Sequence, residues 1–320
     1  MIKVSIVMTV YNGQKHLAEQ IDSFLNQSYL PHEIIISDDC STDNTLQLLE
    51  KYKNNKKINI KIYKNTKNIG FTKNFEKAIS KSSGNILFLS DQDDIWYHNK
   101  IETIIKKFNI NPKINLIIHD AHLVNANLKK TGLTALSQVN SGFSNTDVFI
   151  TGALTAFKKD LLKFFLPFPK KLLGHDGYMH FIARSFGTRM VINNKLQIIR
   201  RHESNTSNWV ASSLKKINKF DVFKNQFFAK RSKDYNDRLV QVNKAIHLIN
   251  VLRNKKHYFS NDLLTNSLIN LKNEKKALKK RNLLKGQNFF KKKIIIFDLL
   301  LNNQYTYFNG IRSFVRDLLR

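Results

Sequence analysis

Three carboxylates fall within four residues in Ser90-Asp91-Gln92-Asp93-Asp94, directly behind the apolar run Ile86-Leu87-Phe88-Leu89. The rest of the chain is strongly basic, so background composition does not account for the cluster. Carboxylates gathered at the end of a buried strand repel one another until a cation or a proton neutralises them. Asp91 and Asp93 are two apart, and in extended backbone such side chains point the same way and can reach one ion. An all-oxygen set with few protein donors suits Mn²⁺ or Mg²⁺, whose shells are completed by water and substrate phosphates. The plainer reading is an acidic turn capping a helix expected over residues 95–108.

Two further groups carry chemistry. In Gly174-His175-Asp176-Gly177 the aspartate either caps a helix expected over residues 178–186 or stands ready as a general base. Arg201-His202 reads as a solvated basic patch, and the following Asn205 and Thr206 favour a loop. Trp96 and Trp209 read as packing residues, with Trp209 also suited to a sugar platform because it lies beside that loop.

These residues need strands to hold them. Residues 4–10, 34–36, 58–63, 86–89 and 114–119 are short β-branched or apolar runs, expected as buried strands. Between them Leu17, Ile21, Phe24 and Leu25 recur at helical spacing, Ser41-Thr42-Asp43 offers N-cap chemistry, and Asn68-Ile69-Gly70 makes a turn before a helix over 72–82. Repeated β-α units predict an α/β fold with an open, mostly parallel sheet flanked by helices. Ligands of such sheets bind beyond the carboxyl ends of the strands. Thr9, Tyr11 and Asn12 end the first strand, Asp38 and Asp39 the second, and Asp91 and Asp93 the fourth, which predicts one crevice. From about Ala211 Lys and Arg mix with Leu, Ile and Phe, and segments such as 240–252 have helical periodicity, so a helical basic C-terminal region is expected over 211–320.

Composition narrows the partners. A chain of 320 residues with 53 Lys+Arg against 24 Asp+Glu carries a formal charge of +29, which favours nucleotides, nucleic acid or an anionic membrane face. One cysteine, Cys40, excludes an intramolecular disulfide and suits a reducing compartment. Met1-Ile2-Lys3 leads straight into a strand-like run without a signal-peptide pattern, so a cytoplasmic protein is expected. No run approaches the ~20 apolar residues of a membrane span.

Together the motifs resemble the family 2 glycosyltransferases, inverting enzymes of the GT-A fold with a Rossmann-like sheet. Val4 to Asn12 looks like the family's opening strand. Ser37-Asp38-Asp39-Cys40-Ser41-Thr42-Asp43 is similar to its "DDGSTD" motif, with Cys40 where glycine is usual, and a positive φ there would strain the cysteine. Asn68-Ile69-Gly70 with Asn74 matches its "N-x-G" segment. Ser90 to Trp96, Thr151-Gly152-Ala153, His175-Asp176 and Arg201-His202 follow the order of bacterial rhamnosyltransferase-like members.

The resemblance covers residues 1–210 and implies a catalytic domain there, with a nucleotide-sugar half over about 1–120 and an acceptor half over about 120–210. It implies a UDP- or dTDP-sugar donor, dTDP-rhamnose among them, and a glycan or lipid-linked oligosaccharide acceptor. Asp93 would ligate the metal, while Asp91 would hold the ribose or reach the metal through water. His202 would be a further ligand or a phosphate contact. Thr9, Tyr11, Asn12 and Asp39 would cradle the nucleoside beside Asn68, Gly70 and Asn74. Arg201 would neutralise phosphate, and Asp176 would be the general base.

Two other classes stay open. The charge and the Lys-rich segments 275–281 and 291–293 would also suit a nucleic-acid-binding protein, although no zinc-finger or RNA-binding sheet motif is present. An inactive nucleotide-sugar-binding scaffold would keep the same residues. Lys291-Lys292-Lys293 beside Ile294-Ile295-Ile296-Phe297 joins charge to apolar anchors, so the C-terminal region suits a membrane-surface or oligomer contact as well as a strand or helix packed on its own domain.

Overall fold

Apolar runs without polar alternation become strands buried on both faces. The computed structural model describes the chain except residues 56, 144–145, 170–171, 173, 203–209, 229–234, 254–260, 309 and 320. The chain divides into two compact units, residues 1–183 with 188–219, and residues 184–187 with 220–320.

The first unit opens as β1 (Val4–Val10), α1 (Leu17–Leu25), β2 (Glu33–Asp38), α2 (Thr45–Lys53), β3 (Asn59–Lys64), α3 (Phe71–Ser80) and β4 (Ile86–Ser90). It continues as β5 (Ile95–Trp96), α4 (Lys100–Ile110), β6 (Leu116–Asn125), β7 (Lys130–Thr134) and α5 (Ala135–Gly142). It ends with β8 (Thr155–Lys158), α6 (Leu162–Phe165), α7 (His175–Ser185) and β9 (Arg189–Arg201). The sheet runs β3-β2-β1-β4-β8-β6-β9-β5, with β7 added on β6.

The first four strands are parallel, with Val10 opposite Asp38 and Met8 opposite Ser90. That register brings the ends of β1, β2 and β4 to one sheet edge, so the polar residues that follow them share a rim. β2 and β4 are buried throughout, as a sheet covered on both faces requires. Side chains alternate across β1. Ile6, Met8 and Val10 join Leu17, Ile21 and Phe24 of α1 and Ile101, Ile104 and Phe108 of α4 in one apolar layer. Beyond β4 the sheet turns mixed, since β8 lies antiparallel to both β4 and β6, while β9 returns parallel to β6 and carries Arg200 and Arg201 to the same rim.

In the second unit α8 (Lys219–Phe228), α9 (Asn236–Arg253), α10 (Asn261–Asn282), α11 (Phe289–Leu301) and α12 (Ile311–Leu318) are all helical. A buried ion pair organises it. Arg281 of α10 donates from Nε (2.7 Å) and Nη2 (3.0 Å) to the two carboxylate oxygens of Asp317 in α12, and its guanidinium stacks 4.2 Å from the Phe308 ring centroid. Both side chains are nearly inaccessible, so loss of either would strand the other's charge.

Several local expectations shift. Ile95-Trp96 is a two-residue strand pinned on Ile198 and Gln197 of β9, and the helix begins only at Lys100. Asn44 takes the N-cap position of α2, and Asp43 contributes by accepting from Thr45 N at 3.0 Å. The fifth expected strand reaches Asn125 rather than stopping at His119. Residues 294–301 are helix. Cys40 does have a left-handed backbone, φ +69°.

Candidate active site

At the end of β1 the chain turns through Asn12 at φ +49°. The Asn12 side-chain oxygen accepts from Thr42 N (2.9 Å) and the Asn12 backbone N–H donates to Ser41 Oγ (2.9 Å), which locks this turn onto the loop after β2. Tyr11 meets the acidic loop directly. Its amide donates to Gln92 Oε1 (2.9 Å), and Gln92 Nε2 donates back to the Tyr11 carbonyl (3.1 Å). Gln92, the residue between the two candidate metal ligands, thus fixes one strand end against another, and sequence spacing gave no sign of it.

Asp38 and Asp39 divide their work. Asp38 Oδ2 accepts from the amides of Cys40 (3.1 Å) and Ser41 (3.0 Å), closing the turn in which Cys40 is strained. Asp39, 3% exposed, accepts at Oδ1 from Asn65 Nδ2 (2.9 Å) and Ile69 N (2.8 Å), and at Oδ2 from Gly70 N (2.9 Å). Oδ1 is therefore saturated, and Oδ2 keeps one acceptor position. Gly70 sits at φ +83°, where any other residue would be strained, and Asn68 Oδ1 accepts from the same Gly70 amide at 3.0 Å. Asn74 is buried with its amide engaged at both ends, accepting from Asn65 Nδ2 (3.0 Å) and donating to the Ser37 carbonyl (2.8 Å), so its part is to brace the pocket wall.

The acidic loop holds its three carboxylates so that one oxygen of each lies within 4.8 Å of the others. They differ in surroundings. Asp94 is buried, accepting from Gln197 Nε2 (2.8 Å) and Arg200 N (3.3 Å), and burial with the charges of Asp93 and Asp91 pushes its pKa well up. Asp91 is exposed on the cleft, and desolvation by the cleft walls, then the charges of Asp93 and Asp176, push its pKa up to about 7. Asp93 Oδ2 lies 2.8 Å from His202 Nε2, across a gap of 109 residues in sequence.

Mutual repulsion among acids at one cleft floor is the electrostatic condition that a divalent cation relieves. Both Asp94 oxygens are already engaged by the fold, so Asp91, Asp93 and the His202 imidazole are the donor set that fits such an ion.

Lys100 stands behind this loop, 1% exposed. Its Nζ donates to Gln197 Oε1 and to the Ala153 carbonyl (3.4 Å), and sits 3.5 Å from the centroid of the Trp96 ring. Through Gln197 it reaches Asp94, so one ammonium links β9, the acidic loop and the Gly152-Ala153 segment. Burial pulls its pKa well down, opposed by Asp94 and Asp91. Trp96 is 3% exposed and packs edge-on against Phe24, a packing role. Trp209, Asn205 and Thr206 lie outside the described residues.

Helix α7 begins at His175, which puts His175 and Asp176 inside its first turn instead of ahead of it. Asp176 Oδ1 accepts from Gly177 N at 2.8 Å. His175 is buried, stacked 4.1 Å from the Phe75 ring, and neither ring nitrogen has a hydrogen-bond partner among the described residues. Burial pulls its pKa down to about 4, partly opposed by Asp176, so it is neutral near pH 7. Gly152 backs onto it, and a Cβ there would come 3.1 Å from His175 Nε2.

The strand ends and the first turn of α7 open on one cleft of about 890 Å³. Thr9, Tyr11, Asn12, Asp39, Asn68, Gly70, Asn74, Asp91, Asp93, Asp176, Arg201 and His202 all line it, whereas Asp38, Cys40 and Trp96, also singled out from sequence, do not. Phe71, Phe75, Phe149 and Ile150 form an apolar wall that the sequence did not single out. Such a volume is in the range of small-molecule sites.

Comparison with known proteins gives a consistent picture. The family described as glycosyl transferase family 2 matches residues 5–165. The dTDP-rhamnosyl transferase RfbG of Shigella flexneri is 27% identical over 242 residues, 70% of this chain and 81% of that protein. Poly(ribitol-phosphate) beta-N-acetylglucosaminyltransferase TarS of Staphylococcus aureus is 36% identical over 103 residues, which is 31% of this chain but 17% of TarS. The match to the Bacillus subtilis protein EpsE likewise spans only 36% of its length. The crystal structure of TarS 1–349 with UDP-GlcNAc shares the fold at TM-score 0.56 and 18% identity, covering 99% of this chain and 82% of that one.

Proposed function

The chain belongs to glycosyl transferase family 2, and on that premise we propose that it moves a sugar from a UDP- or dTDP-sugar to a hydroxyl of a growing cell-surface glycan, inverting the anomeric centre. The observation that carries this reading is the cleft that gathers the ends of β1, β2, β4 and β9 with the first turn of α7. The acceptor position left on Asp39 Oδ2 suits the N3–H of uracil or thymine, a donor that cytosine lacks. Asp176 takes the proton of the acceptor hydroxyl while that oxygen bonds to the anomeric carbon. The bond from this carbon to the diphosphate breaks on the opposite face, and the nucleoside diphosphate leaves with the electron pair. Asp93, with Asp91 and His202, would hold Mn²⁺ or Mg²⁺, which supplies Lewis-acid relief of the charge on the leaving group. Arg201 adds a second cation beside the phosphates.

The RfbG match extends over most of this chain and favours dTDP-rhamnose, while the ligand of TarS favours a UDP-sugar. In this reading residues 1–210 are the catalytic domain, and 211–320 contact a membrane surface or a second copy. The glycan is O-antigen, capsule or lipooligosaccharide, assembled in the cytoplasm at the inner face of the plasma membrane. No helix among the described residues is long and apolar enough to cross a membrane.

The test is donor hydrolysis across UDP-, dTDP-, GDP- and CMP-sugars with Mn²⁺, Mg²⁺ or EDTA. Release from a UDP- or dTDP-sugar that EDTA abolishes supports the proposal. Release from GDP- or CMP-sugars instead, or release indifferent to EDTA, overturns it.

A further inference from the structure

Helix α11 (Phe289–Leu301) presents two faces of opposite character. Ile296 and Leu299 point into the second unit and are buried, 1% and 0% exposed. Phe290, Ile294, Phe297 and Leu301 follow one another at four-, three- and four-residue steps, which places them along one stripe opposite. They are 77%, 68%, 47% and 84% exposed. Lys291 and Lys293 fall on the two flanks of the stripe at 100° per residue, and Lys293 Nζ lies 5.0 Å from the ring centroid of Phe289, itself 65% exposed. The one acid of the helix, Asp298, is met by Lys280 and by Asn302 Nδ2 (2.9 Å), so its charge is answered inside the unit.

Large apolar side chains left in water cost free energy, and a row of them rimmed by lysines matches the two signals that hold a protein at a lipid surface. Charge selects among occupants. A second copy of a chain carrying +29 is repelled, whereas anionic lipid headgroups attract it. We propose that the Phe290–Ile294–Phe297–Leu301 face of α11 docks on an anionic lipid bilayer, with the apolar stripe inserted among the acyl chains and Lys291 and Lys293 at the phosphate level. This deepens the membrane side of the function proposed above and rests on it only for the acceptor.

Sedimentation of the full chain with vesicles of phosphatidylcholine plus phosphatidylglycerol, against phosphatidylcholine alone, tests it without donor or acceptor. Binding should require the anionic lipid and weaken with salt. The double variant Phe290→Ser/Leu301→Ser, at the two most exposed positions of the stripe, should lose about tenfold or more of that binding while unfolding at the same temperature. Phe290→Trp should give a blue-shifted emission on anionic vesicles, a readout that does not depend on the double variant folding. Vesicle binding unchanged by the double variant, or no binding while the protein forms dimers that the variant dissociates, overturns the proposal. Donor hydrolysis without vesicle binding would sink the docking face alone and leave the transfer chemistry standing.

Discussion

Asp93 and Asp176 sit at opposite ends of one reaction, and their removal should leave different remnants. Asp93→Ala takes away the carboxylate facing His202, so Mn²⁺ binding by calorimetry and metal-dependent turnover should both disappear. Asp176→Asn keeps the size and the bond to the Gly177 amide but cannot take a proton. Transfer should fall by about 10²–10⁴-fold with donor affinity unchanged, and full transfer by this variant would refute the base. Cys40 is a residue whose strain is visible. It holds φ +69° in a turn closed by Asp38. Left-handed backbone costs an L-residue roughly 1–2 kcal/mol, and glycine returns part of that as unfolded-chain entropy. Cys40→Gly should therefore raise stability by about 0.5–1 kcal/mol in urea unfolding, and Cys40→Val should lower it.

Elements are tied together by groups far from the cleft. Glu33 opens β2, fully buried, and accepts from Ser5 Oγ of β1 (2.7 Å), Lys61 Nζ of β3 (2.8 Å), and the Ser83 amide and hydroxyl ahead of β4. Burial alone would raise its pKa, but the bonds from Lys61, Ser5 and Ser83 outweigh it and hold it at about 2. A carboxylate whose folded pKa is depressed contributes stability that is present above its unfolded pKa of 4.5 and lost as the pH falls towards 2. With Lys61 partly exposed and screened, that contribution is about 2–3 kcal/mol. Glu33→Gln should lose it at pH 7 and flatten the acid limb of stability against pH between about 4.5 and 2. An unchanged acid limb would show that Glu33 is not the group that titrates there. The strands that Glu33 joins were legible in the sequence because short apolar or alternating β-branched runs read as strands. The two-residue β5 was not, because Ile95-Trp96 becomes a strand only through pairing with β9, about a hundred residues later.

The whole molecule carries +29. Its exposed ion pairs, such as Lys53–Glu50 and Lys106–Glu102, contribute little each, so long-range repulsion is the larger salt-sensitive effect. Raising ionic strength from about 0.01 M to about 0.15 M shortens the Debye length from about 30 Å to about 8 Å. The unfolding temperature should rise over that range, and a fall would mean that the ion pairs outweigh the repulsion. The sequence by itself determined the strand–helix alternation, the common rim at the ends of β1, β2 and β4, and the acids that stand there, because runs, caps and carboxylate clusters are local patterns. Only the tertiary structure decided how those groups are used. It bonds Asp39 to Asn65, Ile69 and Gly70, turns Gln92 into a clasp on Tyr11, places Lys100 on Gln197 and brings His202 to Asp93. Apart from Asp39's, these bonds join residues at least 81 positions apart. Contacts of that range leave no period in the chain, and only the assembled sheet brings their partners within hydrogen-bonding distance.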